Sequence, residues 1–470
     1  MIEQKVSRQT ILSVLAAGLL SFMGILVETS LNVTYATLTV ELNVKLATIQ
    51  WLTTGYLLVV TMMMIASAHL IKKYPVKNLF IFAISCFMIG TLILAVSNSF
   101  AVMMLGRIIQ GLSTGLSVPL MFHLILSSIP RQHLATYTGM AAMIIALAPA
   151  LGPTYGGLLV SLWSWRMIFW LLIPFIVLVF VLGIRTLTLQ PAFPHDQFDT
   201  IGFIILSAVL FLLDFAFSQA AKSGFMSLNF WGLIIIAIIL AVIFYQYDRR
   251  SQRHLLDFSI FKNKIVSWHL LGYFLLQFIN IGLSFVIPQV AQFVLGQSAS
   301  AAGMMLLPGA LLGAVVAPLA GRLMDQLGNP LPILIGHFIL VLGTLTFVLF
   351  THNLTVASIV IAYMVLRLGF NLAFGNTITD ASLQVDSKQK ADINAAFNMS
   401  QQYAGSFGTG VLAAIIGVSQ LRPGKVATTT AQGARIDYWL LLILAVIALI
   451  GGWFSYREEM KKRRAINDAK

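Results

Sequence analysis

The sequence predicts an all-α polytopic membrane protein with fourteen spans, and three observations predict it. Apolar residues make up 59% of the 470-residue chain and Asp, Glu, Lys and Arg only 10%, against about 25% charged residues in soluble domains. Hydrophobic runs of about 20 residues, the length a helix needs to cross a ~30 Å hydrocarbon core, recur from one end of the chain to the other. Lys and Arg fall in short clusters between those runs, and loops rich in them alternate with loops that are poor in them, the pattern that orients membrane proteins.

The runs lie at 11–38, 48–71, 78–97, 101–126, 133–161, 167–185, 199–219, 229–247, 265–295, 299–323, 331–350, 355–380, 393–419 and 436–456. With the N-terminus inside, the inner loops hold 21 of the 29 Lys and Arg residues, the outer loops hold 6, and Arg107 and Arg367 lie within spans. Both termini are therefore expected in the cytoplasm. The net charge of +13 is explained by these loop clusters facing anionic headgroups, so no nucleic-acid partner is expected. The first run is too long for a signal-peptide core and is expected to be retained as a span. A single cysteine, Cys86, excludes an internal disulfide framework. No metal-ligand spacing, phosphate-cradling loop or nucleophile triad stands out, so neither enzymatic chemistry nor a cofactor or metal is expected.

Taken in order, the spans carry few polar groups. The first holds Glu28, with Thr29 and Asn32 one and four residues on. An acid inside a span is costly and marks a candidate functional site. Seventeen residues past Ile11, it lies ~25 Å along the run at 1.5 Å per residue. The fourth span runs the opposite way and places Arg107, six residues past Ala101, about 9 Å below the outer surface. The two charges thus reach similar depths, as a salt-bridged or hydrogen-bonded pair requires. Two readings are open for Glu28: a proton-binding group whose affinity is set by burial against the charge of Arg107, or one half of a fixed ion pair that locks two helices.

In the fifth span Pro149 and Pro153 remove backbone donors, and Gly152, Gly156 and Gly157 permit close helix approach. Asp214 in the seventh span has no partner in sequence, and a solvated place near the outer interface is open for it beside a functional one. Gln277 and Asn280 share a face of the ninth span, while Arg367, Asn371 and Asn376 lie in the twelfth, which ends at Asp380. These groups suit a polar cavity lining or interhelical hydrogen bonds.

The motifs LGRIIQGLSTG around Arg107 and ALAPALGPTYGG (Ala146 to Gly157) resemble signature motifs of the major facilitator superfamily. WSWRMIF (Trp163 to Phe169) and NMSQQYAGSFGTG (Asn398 to Gly410) resemble elements of its fourteen-helix drug:proton antiporter group, the EmrB/QacA-like proteins, and GRLMDQLGN (Gly321 to Asn329) resembles the superfamily's loop motif. The first cytoplasmic loop, SAHLIKKYPVK, lacks the usual Gly and Asp and resembles a branch found in Gram-positive bacteria.

The resemblance implies two six-helix bundles with two additional helices between them, divided at residues 1–190, 191–263 and 264–470. It implies proton coupling at Glu28 and Arg107, and a hinge at Pro149, Gly152, Pro153, Gly156 and Gly157. It places a cytoplasmic gate at Lys72, Lys73, Gly321, Arg322, Asp325 and Gly328, and a substrate cavity at Thr29, Asn32, Gln277, Asn280, Arg367, Asn371 and Asn376. The function it implies is proton-coupled export of small hydrophobic, often cationic, drugs by alternating access, by a monomer in the cell membrane. A dedicated exporter of one metabolite, peptide or antibiotic, and a non-transporting membrane sensor, remain as rival readings.

Overall fold

The computed structural model describes residues 6–130, 133–188, 198–251, 255, 258–327, 330–351, 353–386 and 389–468. Helix is the regular structure throughout these residues, which contain no β-strand. Among the described residues the long helices number fourteen: α1 Arg8–Asn32, α2 Trp51–Lys73, α3 Val76–Val96, α4 Phe100–Ser128, α5 Leu134–Leu162, α6 Leu172–Thr186, α7 Thr200–Ser223, α8 Leu228–Arg250, α9 Lys264–Gln289, α10 Leu307–Leu327, α11 Leu331–Leu349, α12 Val356–Leu383, α13 Lys390–Gln420 and α14 Val426–Asp468. Among the described residues, thirteen stretches are long and apolar enough to cross a membrane. The helix that separates this count from the expected fourteen is α13, which is 31 residues long but carries Asn398, Ser400, Gln401, Gln402, Ser406 and Thr409.

Local chemistry sets the helix ends. Ser7, Ser99 and Asn263 accept bonds from backbone N–H groups two or three residues on, satisfying donors that a helix start leaves free. Thr355 and Ser358 form a reciprocal capping box at the start of α12. The first apolar run does not continue as one helix to residue 38. It stops at Asn32 and resumes as the short helix Tyr35–Glu41, with the Thr34 hydroxyl donating back to the Leu31 carbonyl at 2.8 Å. The ninth run likewise passes through Pro288 into a π-turn, Val290–Val294. The tenth is split into Ala299–Met304 and α10, with Pro308 in the first turn of α10.

The chain forms two compact units. One comprises Met1–Leu213, Gly232–Leu255 and Ser298–Gly303, and the other Asp214–Trp231, Leu256–Gln297 and Met304–Lys470. The 190/191 division expected from the sequence falls outside the described residues. Within the first unit α1 packs on α4, α5 and α6, and α4 packs on α2 and α3; within the second α12 packs on α10 and α11, and α9 packs on α13 and α14. Exposed apolar side chains, such as Ile235, Ile239 and Val242 on α8, present a surface suited to hydrocarbon.

The loops at one end of the first unit are tied by Arg166. Its Nη1 donates to Glu41 Oε1 at 2.7 Å, and its Nη2 donates to the Ser97 carbonyl at 3.0 Å and to Asn98 Oδ1 at 2.8 Å. Trp165 Nε1 donates to Glu41 Oε2 at 2.7 Å. Partial burial works against the Glu41 charge, but the bonds from Arg166 and Trp165 and the guanidinium charge outweigh it and hold the carboxyl below its ordinary value. A carboxylate with a lowered value stabilises the fold at pH above its unfolded value, about 4.3 for Glu, and that contribution is lost as pH falls through the folded value. We therefore expect Arg166→Ala to destabilise the purified protein by about 1–2 kcal/mol at neutral pH. Glu41→Gln should remove part of the acid sensitivity of melting below about pH 4, read from melting temperatures across a pH series.

Candidate functional site

Glu28 is 5% exposed on α1 and Arg107 fully buried on α4. The guanidinium acts on the carboxyl through space, but no hydrogen bond or ion pair joins them. The direct pair anticipated from depth alone is not formed, because Arg107 is held elsewhere. Its Nε donates to the Leu52 carbonyl at 2.9 Å, its Nη1 donates to Gln110 Oε1 at 3.0 Å, and its guanidinium carbon lies 3.7 Å from the centroid of the Tyr56 ring, a cation–π contact. Its Nη2 is buried without a hydrogen-bond partner.

The network runs on from there. Gln110 Nε2 donates to Thr91 Oγ1 on α3 at 2.9 Å. The Tyr56 hydroxyl donates to the Gly24 carbonyl of α1 at 3.0 Å and lies 2.8 Å from Thr114 Oγ1. Thr53 Oγ1 donates to Asn32 Oδ1 at 3.1 Å and is also bonded to the Tyr35 hydroxyl. Sequence reasoning singled out Glu28, Arg107 and Asn32 but missed Tyr56, Gln110 and Thr53. The one legible signal was Gln110, three residues from Arg107 and so on the same helix face. Thr29 is turned inward on its own helix, its hydroxyl donating to the Ile25 carbonyl at 3.1 Å.

The α5 motif packs directly behind this cluster. A Cβ at Gly152 would lie 1.8 Å from Thr29 Oγ1, one at Gly156 would lie 2.4 Å from the Ser30 carbonyl oxygen, and one at Gly157 would lie 2.4 Å from the Ala299 carbonyl oxygen. Ser30 Oγ donates to the Gly152 carbonyl at 2.9 Å. Pro149 and Pro153 lie inside the continuous helix.

In the second unit, Gln277, Asn280 and Arg367 come together. Arg367 Nη1 donates to Asn280 Oδ1 at 2.6 Å, and Asn280 Nδ2 donates to Gln277 Oε1 at 3.1 Å. Asn371 Nδ2 donates to the Arg367 carbonyl at 2.8 Å, and Asn376 Nδ2 donates to the Ala320 carbonyl of α10 at 3.0 Å. Asp214 is 1% exposed, which rules out the solvated place left open for it. Ser406 of α13 donates to its Oδ2 at 2.6 Å. Asp380 is 1% exposed and lies 2.7 Å from His269 Nε2, a partner that no local pattern indicated. Of the expected gate residues, Lys72, Lys73, Arg322 and Asp325 are exposed at the ends of α2 and α10, while Gly321 has open space around it and Gly328 lies outside the described residues.

A family profile described as Major Facilitator Superfamily matches residues 17–409. The chain belongs to the major facilitator superfamily. It is a membrane transporter of that family, not an enzyme. Among its relatives is the lincomycin resistance protein LmrB of Listeria monocytogenes, 32% identical over 94% of this chain and 96% of that protein. A putative multidrug resistance protein, MdtD, of Escherichia coli is 27% identical over 84% of this chain and 83% of its own length. Among solved structures, a bacterial homologue of the human lysosomal transporter Spinster superposes with a TM-score of 0.71 at 14% identity, over 97% of this chain and 99% of that one, which shows a shared fold.

The glycine contacts give a paired prediction for this superfamily member. Gly156→Ala meets backbone that cannot give way and should destabilise by ~1–3 kcal/mol. Gly321→Ala meets nothing within 4 Å and should stabilise by roughly 0.5–1 kcal/mol through lost backbone freedom. Thermal melts of the two purified variants check it, and equal effects would contradict the close approach of α1 and α5.

Proposed function

We propose that this transporter exports small hydrophobic, often cationic, compounds in exchange for protons. The observation that carries the reading is Glu28: a nearly buried carboxylate on α1, within the field of Arg107 but not bonded to it. An acid so placed is free to exchange a proton for a cation, whereas a fixed ion pair is not. The lincomycin and multidrug resistance names of the relatives support drug export.

We assign fourteen crossings with α13 included, two six-helix bundles with α7 and α8 inserted between them, and a monomer with both termini in the cytoplasm, as the 21-to-6 distribution of Lys and Arg favours. Alternating access follows if proton and substrate differ in affinity for two states. A proton arriving from outside neutralises Glu28 and releases the substrate cation, and loss of the proton to the cytoplasm resets the site. Within the first unit Asn32 is the candidate polar contact to substrate; within the second unit, taken by itself, the candidates are Gln277, Asn280, Arg367, Asn371 and Asn376. Thr29 is placed there less directly, since its hydroxyl bonds its own helix.

A narrower reading, an exporter dedicated to one antibiotic, is favoured by the single drug in the name of the Listeria relative. A panel of lincomycin and chemically varied dyes separates the two, because breadth means multidrug export and a single substrate means a dedicated exporter. In inverted vesicles energised by a pH gradient, we expect Glu28→Gln to reduce dye accumulation to the level of vesicles lacking the protein. Uphill transport by that variant would sink the assignment.

A further inference from the structure

A second buried titratable cluster lies in the second unit, away from Arg367. His269 on α9, Asp380 on α12 and Ser455 on α14 meet side by side. His269 Nε2 lies 2.7 Å from Asp380 Oδ2 and 3.1 Å from Ser455 Oγ. The His269 and Asp380 side chains are 3% and 2% exposed, and Ser455 is fully buried. His269 is near the start of α9, Asp380 near the end of α12, and Ser455 follows the apolar part of α14. All three therefore lie toward one end of the unit, the cytoplasmic end in the orientation proposed above.

A second imidazole adjoins them. His337 Nδ1 on α11 lies 2.8 Å from the Ile333 carbonyl and must be the protonated nitrogen, because a carbonyl only accepts. Its Nε2 is buried with no hydrogen-bond partner. That nitrogen sits over Gly272, one turn along α9 from His269, where a Cβ would lie 3.2 Å away. On α14, a Cβ at Gly452, one turn before Ser455, would lie 3.0 Å from His337 Nδ1. Glycines at both positions let α11 bring its histidine against α9 and α14.

The charge balance of the pair decides what it can do. With one proton between them beyond the neutral imidazole's own, His269 and Asp380 are neutral overall, as imidazolium–carboxylate or as imidazole–carboxylic acid. Without that proton they leave a net negative charge on side chains that are almost wholly buried, and an uncompensated buried charge is strongly destabilising. The other ionisable groups toward this end of the packed elements are His337 on α11, Tyr456, Arg457, Glu458, Glu459, Lys461 and Lys462 on α14, Lys390 and Asp392 on α13, Tyr273 on α9, Lys262 on the turn before α9 and Lys264 at its start. The cations among them, Lys262, Lys264, Lys390, Arg457, Lys461 and Lys462, are all exposed, leaving the pair's own proton as the compensating charge inside.

We propose that His269 and Asp380 form a second proton-binding site, separate from Glu28, that holds the ends of α9, α12 and α14 together while the proton is bound. Release of the proton accompanies entry of water between those helix ends. The pair thereby links cytoplasmic pH to opening of the second unit at that end. Its place in a transport cycle rests on the proposed function, whereas its proton binding does not.

The test uses the full-length protein in lipid nanodiscs and reads melting temperature from about pH 5 to about pH 8, the range in which imidazoles commonly titrate. The wild type should lose a few degrees of melting temperature between the acidic and the alkaline end of that range, because the site holds the helix ends only while its proton is bound. His269→Gln and Asp380→Asn should each flatten that step, while Ser455→Ala keeps it. If either single variant fails to fold, the His269→Gln/Asp380→Asn double variant, which retains amide hydrogen bonding without a titrating group, takes its place. A folded variant whose profile overlays that of the wild type, or a wild type with no step, would overturn the proposal. In vesicles, efflux measured at fixed outer pH should depend less steeply on cytoplasmic-side pH in His269→Gln than in the wild type, the dependence that remains being that of Glu28. Uphill transport by Glu28→Gln would remove the proposed function, but the melting profiles would still decide the His269–Asp380 site.

Discussion

A guanidinium with no exposed surface inside a membrane helix bundle has to be satisfied by protein, because hydrocarbon offers it neither water nor counter-ion. Arg107 is in that position, and its bonds dictate much of the first unit. One donor is committed to the Leu52 carbonyl of α2 and one to Gln110. Gln110 must then turn its oxygen to the arginine, so its amide nitrogen faces α3, where Thr91 accepts it. The cation rests on the face of Tyr56, which leaves the tyrosine hydroxyl to reach α1 at Gly24. A single charge thereby sets the relative placement of four helices.

The same constraint explains the small residues behind the cluster. Holding α1 where Tyr56 can bond its backbone brings it against α5, and the approach at Gly152 and Gly156 leaves no room for a side chain. The prolines of α5 lie one turn apart around that contact and weaken the helix ladder where it is most tightly packed. The second unit meets the problem in the same way. Arg367 takes Asn280 as its acceptor, an uncharged group, and is 7% exposed. Two of the buried acids of that unit, Asp214 and Asp380, are bonded to Ser406 and His269.

What the sequence made legible follows from cost. Runs of hydrophobic residues and the alternation of basic loops are enforced over the whole chain, so the polytopic fold could be read from them. Glu28 and Arg107 stood out because charges are rare in such runs, and Gln277 and Asn280 because their spacing shares a helix face. The partners were harder to read. Arg107 bonds a backbone carbonyl, and Leu52 carries no mark of it. Helix rise gives depth but not the direction a side chain points, so equal depth for Glu28 and Arg107 did not amount to contact. Asp214 and Asp380 find their partners 192 and 111 residues away, and a lone serine or histidine in an apolar run does not announce which acid it will meet. The break at Asn32 is accompanied by a threonine hydroxyl that turns back on the preceding helix, a local bond that hydropathy does not register.

Under the proposed function, the separation of Glu28 from Arg107 has a consequence that a fixed ion pair would not. With Glu28 ionised and its site empty, the two groups sum to zero charge. Binding one proton makes the sum +1, and binding one monovalent cation to the ionised carboxylate also makes it +1. The two loaded states therefore place the same net charge in the low-dielectric interior, so one can replace the other without a further electrostatic penalty. Both at once would require +2 beside an arginine whose remaining N–H group already lacks a partner. Competition between proton and cation then follows from charge alone and places no demand on the shape of the substrate. That permits a broad range of cations at this site, and leaves any selectivity to the polar groups around it.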